Sequence, residues 1–167
     1  MNQIKDYLAL YPHLGKSYFL IGLLEITLRE SIPLTLRNYH HMSREQPWYE
    51  GLLLNAKGEA ALSSAISIDS SHPEQYLTLP FWRYLFSSKN YGSLWLPVLH
   101  QVFSELKEPK DISTFRIVDK HFDTALRLRN NVAHYNLDIK ASIEFSGDKV
   151  IWLLRNLGID DASLVKA

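Results

Sequence analysis

Phe115-Arg116-Ile117-Val118-Asp119-Lys120-His121-Phe122-Asp123-Thr124-Ala125-Leu126-Arg127-Leu128-Arg129-Asn130-Asn131-Val132-Ala133 (residues 115–133) repeats apolar side chains at helical spacing. Projected at 100° per residue, Phe122, Ala125, Leu126, Val132 and Ala133 form an apolar stripe. Arg127, Asn130, Asn131, His134 and Asp138 form a polar one. Such a segment is an amphipathic helix laid against a core, and it sets the expectation for the rest of the chain.

The same period recurs through Tyr18-Leu24-Leu28, Leu53-Ala61-Ile66, Phe81-Leu85 and Leu94-Phe103, and strand-like alternation is confined to a weak hint at Ser142–Phe145. Pro47, Gly58, Ser70–Pro73, Asn90–Gly92, Pro109 and Ser146–Gly147 punctuate these segments. Pro33 interrupts a pattern that otherwise runs to Tyr39, so either a new helix starts there or one helix kinks. Asp111 or Ser113 is placed to cap the long helix. Ser146 is placed to cap a last helix through Val150–Leu154 to Asn156, with Gly158 as its stop. The expectation is one all-α domain over residues 1–167, a bundle of roughly six to eight helices.

Composition narrows the function classes. With 46% hydrophobic and 22% charged residues the 167-residue chain has ordinary globular character. Eighteen basic and eighteen acidic residues cancel, so an extended basic surface for long nucleic acid is not expected and any RNA contact is local. The chain has no cysteine, which excludes disulfides and thiolate chemistry. Apolar runs such as Tyr18–Leu24 are too short to span a bilayer, and the N-terminus shows no signal-peptide core, so a cytoplasmic protein without membrane partners is expected. His40 and His41 diverge on a helix and no carboxylate–histidine cluster has ligand spacing, so neither a metal nor another cofactor is expected.

The chemistry concentrates at Arg129-Asn130-Asn131-Val132-Ala133-His134, which places a permanent cation, an amide and an imidazole within six residues. Chance alone readily produces an Arg five positions before a His, and Arg116–His121 is a second such pair. Asn130, four residues before His134, shares its helix face and is placed to hold the ring, whereas Ile117 offers no polar side chain to His121. Arg129 projects near the middle of the apolar stripe, where a guanidinium needs a partner. Glu25, an acid in an apolar helix, is the expected one. The aromatics Trp48, Tyr49, Phe81, Trp82, Tyr84 and Trp95 suit either base stacking or the core, and the core is the commoner fate.

Leu128-Arg129-Asn130-Asn131-Val132-Ala133-His134 resembles the Leu-Arg-Asn-x-x-Ala-His block of the HEPN superfamily, in its Abi-like (abortive-infection) branch. Glu25-Ile26-Thr27-Leu28-Arg29 resembles that family's first-helix Glu-x-x-x-Arg pattern, with Glu30 where Asn commonly follows. Pro80–Phe86 and Leu94–Pro97 resemble its aromatic middle section. The resemblance implies an all-α HEPN fold, a homodimer with the Arg–His motifs meeting at its interface, and metal-independent RNA cleavage in phage defence or toxin–antitoxin systems. It implies catalytic roles for Arg129, Asn130 and His134, substrate contacts from Arg127 and Asn131, and supporting roles for Glu25 and Arg29. RNA and an antitoxin protein are the partners implied. The family tyrosine two positions after the His has no counterpart, because Tyr135 directly follows His134. The alternative function is a non-catalytic HEPN module that binds RNA or protein.

Overall fold

A computed structural model describes residues 2–39, 46–134, 140–160, 162 and 164, with side chains described outside 2–4, 6–7 and 140–145. His40, His41, Tyr135 and Asp138 therefore lie outside the described residues.

Six α-helices carry the described chain: α1 (Asn2–Tyr39), α2 (Ala56–Ile68), α3 (Leu79–Leu85), α4 (Leu96–Val102), α5 (Ile112–Ala133) and α6 (Lys140–Asn156). A 3-10 turn at Pro73–Tyr76 precedes α3. A 3-10 turn and a π-turn over Ser88–Trp95 lead into α4. The all-α expectation holds, and no strand occurs among the described residues. The segment Ser142–Phe145, read as weakly strand-like, is helical. No helix among the described residues is long and apolar enough to cross a membrane.

The long helix follows its sequence closely. Asp111 caps α5 by accepting from the Ser113 and Thr114 amides at 2.8 and 3.2 Å. Phe115, Val118, Phe122, Ala125, Leu128 and Val132 are buried at three- and four-residue spacing. Helix α6 packs along α5, and α1 packs on both. Phe86 stacks between Trp95 (4.0 Å between ring centres) and Phe122 (4.4 Å), joining α3, α4 and α5 in one hydrophobic cluster. Trp48, Phe81, Trp82 and Trp95 lie in this core, which removes them as base-stacking platforms, while Tyr49 and Tyr84 are half-buried.

At Pro33 the structure removes one of the two alternatives, the start of a new helix, and punctuation misled the reading at two further points. Helix α1 runs unbroken through Pro33, although the missing amide leaves the Arg29 carbonyl without its usual donor. Gly58 lies inside α2, where its amide donates to the Asn55 cap at 2.8 Å. An added Cβ there would come within 3.3 Å of Leu54. Ser146 caps nothing, because α6 has begun at Lys140 and Ser146 is buried within it. Gly158 ends α6 as expected, at φ +90°, with its own amide donating to Arg155 and that of Ile159 to Leu154.

Candidate active site at the end of helix α5

Helix α5 remains regular through Ala133. His134 takes φ −101° and ψ 9°, just outside the helix, and its amide donates to the Asn130 carbonyl at 3.1 Å. The imidazole is exposed, and among the described residues its ring has no hydrogen-bond partner. The expected bond from Asn130 to the ring is replaced by another. Asn130 Oδ1 accepts from Arg129 Nη1 at 3.2 Å, so the amide steadies the guanidinium and reaches His134 only through the backbone. Asn131 is half-buried beside them. Arg127 is exposed but tied to Asp123, four residues back on its own helix.

The expected Arg129–Glu25 pair is not formed. Arg129 is half-buried on the flank of the apolar stripe, whose centre at that level is Leu128, and its charge reaches the surface. Glu25 instead pairs with Arg29 at 2.6 Å within α1 and accepts from the Leu79 amide at 2.7 Å. Arg29 Nε donates to the Leu77 carbonyl at 2.9 Å. Thr78, the residue in the capping position of α3, makes no side-chain cap, so Glu25 supplies an anion to that helix N-terminus from across the fold. Glu25 and Arg29 thus clamp the Leu77–Leu79 chain onto α1 and stand apart from the α5 terminus.

In the second Arg–His pair the imidazole is engaged in helix packing. The His121 ring stacks on Trp152 with centres 4.3 Å apart, and its Nδ1 donates to the Ile117 carbonyl at 2.7 Å. The support comes from the Ile117 backbone, which a search for polar side chains does not detect. Burial holds the His121 pKa below the ordinary value. The bond to Ile117 opposes that shift, and Lys149 and Lys120 reinforce it. Arg116 is exposed.

Three polar networks, two of them centred on the buried Asn90 and Glu74, escaped the sequence reading. Asn90 pairs with the Leu53 backbone in both directions (3.1 and 2.9 Å) and donates to the Leu85 carbonyl at 3.1 Å. Glu74 accepts from Arg37 at 2.9 Å and from Trp48 Nε1 at 3.0 Å. Burial works to raise the Glu74 pKa, but the bonds from Arg37, its own backbone and Trp48 prevail and hold it below the ordinary carboxylate value. Arg83 lies 2.7 Å from Asp119 and 3.8 Å from Asp123. Burial raises the Asp119 pKa against the pull of Arg83, with Asp123 adding to the rise. In sequence these are lone polar residues in irregular segments or on a helix flank, with no spacing signal.

Among the described residues no group of three His, Asp or Glu side chains is placed to hold a metal ion. A cleft of about 360 Å³ between α1 and α6 presents His13, Lys16, Ser17 and Asp148, and none of the Arg129–His134 residues lines it. No protein-family model, curated protein or solved structure matches this chain.

Proposed function

We propose that the chain is a HEPN-like, metal-independent endoribonuclease, acting in phage defence or as the toxin of a toxin–antitoxin pair. The observation that carries this reading is the contrast between its two motif histidines. His121 is held against Trp152 and Ile117, whereas His134 stands exposed at a helix end, five residues after Arg129, whose guanidinium donates to Asn130. An imidazole not engaged by another side chain is free to transfer protons, and a guanidinium fork suits phosphate oxygens.

In this mechanism His134 takes the proton of the ribose 2′-OH as O2′ attacks phosphorus. Arg129 stabilises the added negative charge on the phosphoryl oxygens. The bond to O5′ breaks, and O5′ receives a proton from a second imidazole. One chain offers a single His134, and α5 does not unwind before it, so the second imidazole is His134 of a partner subunit across a two-fold axis. The products are a 2′,3′-cyclic phosphate and a 5′-hydroxyl end. Neutral net charge, with Arg127 already tied to Asp123, favours a short substrate contact; it also favours the second reading, a non-catalytic binding module.

The test is incubation of purified protein with RNA in EDTA, with the ends of the products mapped. Cleavage to cyclic phosphate and 5′-hydroxyl ends, lost in His134→Ala, is expected. Cleavage that requires an added divalent ion would overturn the mechanism, and tight RNA binding without cleavage would select the binding module.

A further inference from the structure

Helices α1 and α6 pack on one another but leave a cleft of about 360 Å³, within the size range of small-molecule sites. His13, Lys16, Ser17 and Leu20 line it from α1, at the i, i+3, i+4, i+7 spacing of one helix face, and Asp148 and Ile151 line it from α6. The side chains of His13, Lys16, Ser17 and Asp148 make no hydrogen bond or ion pair among the described residues. Ser17 is only 2% exposed, yet its hydroxyl does not bond the carbonyl four residues back, as Thr27 does to Leu23 on the same helix at 2.8 Å. A buried polar side chain normally has a partner. Gly147 also lines the cleft, and a Cβ there would meet no atom within 4 Å. Glycine is a poor helix former, and inside α6 it preserves open space at the cleft wall.

We propose that this cleft binds a free aliphatic α-amino acid as its zwitterion. Lys16 and Asp148 bring opposite charges to one cleft from different helices and do not pair with each other. A ligand with only a carboxylate would leave Lys16 answered but set its charge against Asp148. One with only an ammonium would do the reverse. A zwitterion answers both. Its carboxylate takes Lys16, with further donors in the Ser17 hydroxyl and the His13 ring, and its ammonium takes Asp148. Leu20, buried at the cleft floor, and the half-buried Ile151 offer an apolar wall to an aliphatic side chain. No Phe, Tyr or Trp among the described residues lines the cleft, which disfavours a nucleobase or other stacked ring.

None of Arg129, Asn130 and His134 lines the cleft, so this binding is separate from RNA cleavage and stands whether or not RNA is cleaved.

Isothermal titration calorimetry on the full chain, with L-leucine as the probe and no RNA present, tests the site. Leucine should bind with millimolar or tighter affinity and raise the melting temperature. Isocaproate, which lacks the ammonium, and isoamylamine, which lacks the carboxylate, should each bind at least about tenfold more weakly. Asp148→Asn should weaken leucine by a similar factor without weakening isocaproate, and Lys16→Gln should weaken leucine without weakening isoamylamine. Both positions are exposed, so both variants should keep the helical spectrum. Ser17→Ala should weaken leucine yet melt no lower than wild type, because the hydroxyl it removes has no partner in the described chain. Gly147→Leu, which meets nothing within the chain, should fill the cleft and abolish binding with the helical spectrum unchanged. No binding of leucine at millimolar concentration would overturn the proposal, as would equal affinity for the two single-charge analogues. So would leucine binding indifferent to Asp148→Asn or to Gly147→Leu. A chain that cleaves RNA but binds no leucine would reject only this site, and one that binds leucine but cleaves no RNA would reject only the nuclease.

Discussion

His121 of α5 lies flat against Trp152 of α6, ring centres 4.3 Å apart and planes 30° apart. This stack separates two Arg–His pairs that have the same spacing in sequence. One imidazole fastens two helices, and the other ends its helix in the open.

His121→Ala is therefore expected to lower stability by about 1–2 kcal/mol, through lost stacking and a lost backbone bond, without abolishing RNA cleavage. Urea denaturation and a cleavage assay at a temperature where the variant remains folded measure the two effects. Loss of cleavage in the folded variant would move the catalytic role to this pair.

The depressed His121 pKa gives a pH signature. Below about pH 6.5 the unfolded chain binds a proton there that the folded chain resists. The contribution is therefore present above that value and lost as the pH falls through the folded pKa. His121→Phe keeps an aromatic ring against Trp152 and should flatten the fall in melting temperature on acidification. An unchanged pH profile would show that other groups cause it.

Arg129→Ala becomes a clean test, because Glu25 is satisfied by Arg29 and Leu79 and is not orphaned by the change. Stability should shift by no more than about 0.5 kcal/mol, as for an ordinary surface substitution. Cleavage should fall on the order of 100- to 1,000-fold, as when one preorganised charge-stabilising donor is removed. A large drop in melting temperature would instead assign Arg129 to the scaffold.

Glu25→Ala should do the reverse, costing about 2 kcal/mol as α3 loses the anion at its N-terminus and Arg29 loses its partner. Denaturant midpoints measure it. A stability unchanged from wild type would mean that the Leu77–Leu79 chain is held by Arg29 and packing alone.

Asn90→Ala removes the bonds to both backbone groups of Leu53 and to the Leu85 carbonyl from a buried position. A loss of about 2–3 kcal/mol is expected, from unsatisfied backbone groups. Hydrogen exchange at the Leu53 amide should accelerate with it, and protection retained there would contradict the assignment.

The all-α class, the span and cap of α5, and the stop at Gly158 were legible in sequence, because each rests on contacts a few residues apart. Apolar period, an Asp accepting from the next amides, and a glycine at positive φ are local physics. Gly58 and Ser146–Gly147 misled, and Pro33 left two alternatives, because local propensity is a weak prior: packing on α1 and α6, and the Asn55 cap, keep helices continuous where composition suggests breaks. The motif itself was visible at Arg129, Asn130 and His134. Which charge answers which was not. Glu25 is drawn to Leu79, 54 residues away, Asn130 to Arg129, and His121 to Trp152. The choices of Glu25 and His121 depend on the distances between elements after packing, and a linear pattern carries no information about which amide or ring will arrive beside them.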